Sequence, residues 1–324
     1  MRRGAAEYAG RRLLSLLPVW FGVSLFAFSL ANLAPGDPAE IILERQSGRP
    51  PTAEAVALLR TQLGLDAPFV LRYGRWVRSA VHGDLGKSYS SGESVFRVLT
   101  DRFPATLQLA SAALFLGLFI AIPMGVTAAV NRGKSLDHLF RVLSLAGTST
   151  PSFVLGYVLI LIFAVSLHML PVTGSGGLEN LVLPVITLGL AEAAALTRLT
   201  RSSMLEVLGE DYVRTARAKG LPRSVVIMRH ALRNALNPVA TLAGVRFGRL
   251  LGGAVIVEYV FARPGIGTTI VEAIHDRDYP VIQGFILFMG TVFVTVNLVV
   301  DLSYVWLDPR LRQSVLTEGS RAAS

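Results

Sequence analysis

The chain contains no cysteine, which excludes disulfide bridges and thiolate metal sites. Charge is also scarce: 16% of the 324 residues are charged and 52% are hydrophobic, too apolar a balance for an ordinary water-facing surface. The five histidines, His82, His138, His168, His230 and His275, are too far apart to read as a metal-binding cluster. The formal charge of +9 lacks the interleaved aromatics of a nucleic-acid surface, because the basic residues fall between long apolar runs. A phosphate-cradling loop is missing too: the nearest stretch, GDLGKS at 83–88, has Val81 where the first glycine is required.

Apolar runs dominate what is there. A helix needs about 20 mostly apolar residues to cross a bilayer. Residues 13–33, 104–130, 142–170 and 279–300 meet that length without Asp, Glu, Lys or Arg inside. Residues 181–197 and 235–257 are apolar but interrupted, the first by Glu192 and the second by Arg246 and Arg249. The expected fold is therefore all-α and integral to the membrane, with six transmembrane helices. The first run is expected to stay as a span, since its apolar core is longer than that of a cleaved signal and Asn32 is not small.

Lysine and arginine set the orientation. Arg2, Arg3, Arg11 and Arg12 precede the first run, and Arg132, Lys134 and Arg141 separate the second and third. Arg198, Arg201, Arg214, Arg217, Lys219, Arg223, Arg229 and Arg233 lie between the fourth and fifth, and Arg310 and Arg312 follow the sixth. The alternate connections are poorer: 171–179 has no basic residue, and 258–278 has Arg263 and Arg277 alone. Both termini are thus expected in the cytoplasm. Residues 34–103, with nine basic and eight acidic residues, read as a small external domain, because long loops translocate largely regardless of charge. The expected divisions are 1–33 (N-terminus and first span), 34–103, a membrane core at 104–307 and a cytoplasmic tail at 308–324.

The connection 198–234 is far longer than joining two helices requires. Residues 202–239 read as helix, tight turn, helix: Gly220 suits a left-handed helix end and Pro222 the first turn of the next helix. Val225, Met228, Leu232 and Leu236 recur at helical spacing as an apolar stripe, with Arg223, Arg229 and Arg233 on other faces. A protein partner and an anionic lipid surface both fit such a helix.

DYVRTARAKGL followed by HALRNALNPV resembles the cytoplasmic loop signature of ABC-type importer permeases of the dipeptide, oligopeptide and nickel branch. The general form is Glu-Ala-Ala, three residues, Gly, nine residues, then Ile-x-Leu-Pro. Its named positions fall on Arg214, Thr215, Ala216, Gly220, His230, Leu232 and Arg233, of which Ala216, Gly220 and Leu232 match literally. The Arg-Thr-Ala variant resembles the form used in the peptide branch, and the proline is displaced to Pro238. LAPGDPAE, LGGAVIVEYVFARPGIG, RDYPVIQG and NLVVDLSYVWLDPRLR extend the likeness along the chain.

The resemblance implies a type I importer permease fold and a place in the inner membrane. It implies that the loop, through Tyr212, Arg214, Thr215, Ala216, Lys219, Gly220 and Leu232, couples to separate ATPase subunits. This chain would bind no cofactor, with ATP and Mg on those subunits. Implied partners are a second homologous permease, two ATP-binding subunits and an external solute-binding protein. Di- or oligopeptides are the expected cargo, with nickel or another small solute as the alternative.

Charged residues in the spans are expected to line the pathway or to pair. For Glu192, pairing means an arginine on a neighbouring helix; for Arg246 and Arg249, an acidic group of the partner permease. Asp301 can also sit at the cytoplasmic interface beside Tyr304 and Trp306. Pro264, Gly265 and Gly267 read as a turn. An ion-coupled secondary transporter would normally show internal repeats, and none is visible. An intramembrane protease would need facing aspartates or a positioned serine and base. Asp278 and Asp301 merely flank the sixth span, and His168 and Ser175 lie near a short external loop.

Overall fold

The computed structural model describes residues 2–33, 36–174 and 177–307; the side chains of 2–13, 46 and 301–307 fall outside that description. Every regular element among the described residues is helical. Five helices among the described residues are long and apolar enough to cross a membrane, within Leu14–Leu33, Val95–Val130, Glu179–Leu208, Arg223–Val260 and Tyr279–Val300, and a bent pair of helices makes a sixth if it is taken as one span.

That bent pair corrects one expectation. The run 142–170 is not one continuous helix: α6 (Ser135–Ser149) and α7 (Ser152–Leu159, continued as a π-helical stretch Ile160–Ser166) meet at 102°. Pro151 has no N–H to donate and holds the preceding residue out of the helical region, and Thr150 is extended at φ −87°, ψ 121°. Hydropathy registers the apolar character on both sides of the break and misses the break itself.

The chain divides into two compact units. One joins residues 1–104 to 265–295. In it the apolar α1 (Arg2–Leu33) is followed by three short helices, α2 (Pro38–Ser47), α3 (Ala53–Gln62) and α4 (Phe69–Val81). The apolar face of α4 lies along α1: Phe28 meets Phe69, Tyr73 and Trp76 at ring-centroid distances of 5.2–5.6 Å, and Ser24 Oγ is 2.8 Å from the Tyr73 hydroxyl. Asp278, 2% exposed and just ahead of α13 (Tyr279–Leu307), staples the loop before α5 to the turn after α12 (Ile266–His275). Its carboxylate accepts from Ser88 Oγ at 2.5 Å and from the backbone N–H groups of Tyr89 and Ser90 at 3.1 Å. Burial, with the Asp278 charge beside it, pushes the Tyr89 phenol up to about 12.

The second unit joins 105–264 to the described residues from 296 onward. The buried residues Ala121, Leu196, Val239 and Ala243 form one apolar cluster, and Ala129, Met204, Ala231, Leu232 and Ala235 form the next. These stack along α5 (Val95–Val130), α8 (Glu179–Leu208) and α11 (Leu232–Val260). Close approach between α5 and α8 depends on missing side chains: a Cβ added to Gly125 would stand 2.5 Å from Thr200 Cβ. Gly125→Ala should therefore destabilise the detergent-solubilised protein by about 1–3 kcal/mol, read as a lower thermal midpoint. Gly22→Ala, where nothing lies within 4 Å of the new Cβ, serves as the silent control.

Candidate functional site: the helical loop between α8 and α11

The run that begins as an apolar span at 181 does not stop at 197. Helix α8 continues through Arg198 and Arg201 to Leu208, so the connection starts on a rigid rod. After a break at Gly209 and Glu210 comes α9 (Asp211–Ala218), with Asp211 in its first turn and Arg217 in its last, both favourable for the helix dipole. Val213 and Ala216, three apart on one face, are buried with Val226 and pack against Val207 and Leu208 at the end of α8. Helix α9 is thereby fixed to the end of α8 by its apolar back.

Gly220 closes this segment at φ +75°, a conformation natural to glycine, and its N–H donates to the Arg217 carbonyl at 3.0 Å. Pro222 stands one position earlier than expected, as the cap ahead of α10 (Arg223–Val225) and not inside its first turn. Next comes a π-helical turn, Val226–Ala231, which corrects the expected apolar stripe. One extra residue in that turn rotates everything after it. The buried positions are Val226, Ala231, Leu232 and Ala235, while Met228 is 60% exposed. Leu232 holds its place in the core.

The residues singled out from the signature thus separate by role. Ala216 and Leu232 are buried in the two neighbouring clusters and Gly220 makes the turn. Tyr212, Arg214, Thr215 and Lys219 are exposed around the outer face of α9. Asn234 Nδ2 donates to the Tyr212 hydroxyl at 2.7 Å, tying that face to the start of α11, and Arg214 lies 3.3 Å from Asp211. Behind α9 is an open cleft of about 420 Å³ lined by Ala129, Val130, Leu208, Arg217, Leu221 and Arg223.

A second tie went unnoticed in the sequence. Asp137, in the first turn of α6 and 1% exposed by side chain, receives Arg201 Nε on Oδ1 at 2.6 Å and an Arg201 Nη on Oδ2 at 2.8 Å. The Gly133 N–H adds a third bond at 3.0 Å. Arg201 had been visible as one more basic residue of the loop; an acid on a basic flank that lies inside a helix's first turn was the available signal.

The charges inside the spans do not stay together. Glu192 on α8 pairs with Arg246 on α11 at 2.9 Å, the within-chain pairing open to Glu192, and not the bridge to another subunit expected of Arg246. Arg249 is exposed and makes no ion pair among the described residues. The Asp301 side chain lies outside the described residues, as do Ser175 and the tail 308–324. At the end of α11, Arg263 donates to Gln108 at 2.8 Å, and burial pushes its guanidinium down while the nearby Glu258 opposes that shift. No group of three metal-ligating side chains occurs among the described residues.

Comparison with known proteins decides what this arrangement belongs to. The family described as binding-protein-dependent transport system inner membrane component matches residues 121–313, and its N-terminal companion matches 6–110. The chain is a member of this family of inner-membrane transport permeases. Glutathione transport system permease protein GsiC of Escherichia coli strain CFT073 is 42% identical over 306 residues, covering 94% of this chain and 99% of that protein. The proteins of the same name from E. coli K12 and Shigella dysenteriae are 41% identical over the same extents. Among solved structures, the inward-facing MetNI methionine ABC transporter matches 67% of this chain and 96% of its own at 20% identity and a TM-score of 0.52, a likeness of fold. The permease is thus an all-α inner-membrane protein of the ABC importer type, and its family is one of transport subunits and not of enzymes.

Proposed function

We propose that this permease forms half of the translocation pathway of an ATP-driven importer of peptide-like solutes, with α9 as the element that receives the motion. The observation that carries this reading is the two-sidedness of α9: Val213 and Ala216 pack it to α8, while Tyr212, Arg214, Thr215 and Lys219 face outward. A partner gripping the outer face would move the ends of α8 and α11 together. Two ATP-binding subunits on the cytoplasmic side supply ATP and Mg, a second homologous permease completes the pathway, and an external binding protein delivers the solute. Lysine and arginine on the 131–134 and 198–234 connections support the placement of α9 in the cytoplasm. The glutathione permeases to which the chain is similar favour a tripeptide or related peptide over a metal chelate.

Vesicles carrying the full set of subunits should take up radiolabelled alanyl-alanine or S-methylglutathione only with ATP inside the catalytic compartment, and vesicles carrying this chain alone should take up neither. Uptake by the chain alone, driven by an ion gradient, would defeat the proposal.

A further inference from the structure

One face of α11 carries a charge that has no counter-ion among the described residues. Thr241, Val245, Arg249, Gly252, Ile256 and Tyr259 follow one another at four- and three-residue steps and are all exposed, so they form a single stripe along the helix. Arg246 lies off that stripe and is neutralised by Glu192 at 2.9 Å. Arg249 has no such partner among the described residues, although Glu192 stands on the adjacent helix.

Its depth makes this informative. The apolar run 235–257 is centred on Arg246, and Arg249 is three residues beyond, about 4.5 Å along the axis. The nearer end of α11, at Val260, is eleven residues further, about 16 Å, which is beyond the reach of one side chain bending toward the interface. A charge at that depth does not face hydrocarbon; it faces water, a solute or another protein's acid. The rest of the stripe is mixed: Val245 and Ile256 are apolar, while Thr241 and Tyr259 carry hydroxyls. At Gly252, next to Arg249 on the stripe, nothing lies within 4 Å of where a Cβ would stand, which leaves backbone open to an approaching molecule.

Resting on the permease reading above, we propose that Arg249 lines the aqueous pathway and holds the carboxylate of the passing solute. The guanidinium is permanently charged and matches a carboxylate with two parallel bonds, which a lysine does not reproduce. The pathway is then selective for solutes bearing a carboxylate, the terminal group that peptides share.

The absence of cysteine supplies the test. Arg249→Cys, assembled with cysteine-free partner subunits, introduces a single thiol. A charged, membrane-impermeant trimethylammonium methanethiosulfonate should modify it about as readily as the neutral methyl methanethiosulfonate does, each rate taken relative to a free thiol in water. Burial in lipid or in a closed contact with the second permease would slow the charged reagent by about tenfold or more, and that result overturns the proposal. Uptake of alanyl-alanine and S-methylglutathione gives an independent reading. Modification that adds the trimethylammonium group, which returns the positive charge without the two bonds, should recover part of the uptake lost in the cysteine variant, and modification that adds a sulfonate should recover none; equal effects of the two reagents would overturn it. At matched membrane abundance, Arg249→Lys should retain a substantial part of the uptake and Arg249→Gln should lose about tenfold or more; equal uptake by the two would also overturn it. A wild-type complex that imports neither probe counts against the peptide reading, and the labelling comparison still decides whether Arg249 faces water.

Discussion

Gly220→Pro is expected to reduce uptake by more than about tenfold while leaving the protein in the membrane at its usual abundance. The cause is confined to the backbone. Gly220 sits at φ +75° and donates its N–H to Arg217, whereas proline is held near −65° and has no N–H. No atom lies within 4 Å of where a Cβ would stand, so the effect does not come from crowding of a Cβ. The substitution should swing α9 relative to the π-helical turn and pull Val213 and Ala216 away from Val226. Since the apolar runs that direct insertion are untouched, abundance should hold. Gly220→Asn, which tolerates the left-handed region, should retain most of the uptake. Normal uptake by the proline variant at normal abundance would remove α9 from the coupling path.

How much of this was legible beforehand depends on whether the cause was local. The spans of α1, α5 and α13 could be read directly because apolar length is a property of consecutive residues, and those of α8 and α11 could be read in spite of the charges that interrupt them. Gly220 was legible as a left-handed position because glycine ahead of a Leu-Pro pair is a short-range signal. Pro151 was present in the sequence as well, yet an apolar run on either side outweighed it, and the break between α6 and α7 was lost. The π-helical turn at Val226–Ala231 carries no comparable mark: its residues suit an ordinary helix, and only the packing of Ala231 and Leu232 against Met204 and Ala129 requires the extra residue. Met228 was consequently put on the wrong face.

Long-range pairs were out of reach for a different reason. Asp137 and Arg201 are 64 residues apart, and Ser88 and Asp278 are 190 apart. Composition places such residues near a membrane surface without saying which finds which. Arg246 and Arg249 illustrate the limit well. Three apart on one helix, they look equivalent in the sequence, and the direction of each side chain relative to α8 is what gives one a carboxylate partner and the other none among the described residues.

The Asp137–Arg201 pair leads to the second large effect. Removing one member of a buried ion pair leaves the other charge desolvated and unmatched, so Asp137→Asn should cost about 3 kcal/mol, lowering the thermal midpoint in detergent. Arg201 keeps 22% of its side chain exposed, which holds the expected figure at the lower end for such pairs. Replacing both, as Asp137→Leu with Arg201→Met, should recover a large part of the loss, because no charge is then stranded. The pair also has a mechanical position. It joins the start of α6 to α8 seven residues before Leu208, close to where α9 is fixed. Displacement of α9 is then passed to α6 and the bent pair as well as to α11. On this account the double variant should be stable yet poorly coupled, hydrolysing ATP in the assembled complex with less solute moved per ATP than wild type. A double variant that is stable and normally coupled would reduce Asp137 and Arg201 to a structural clasp.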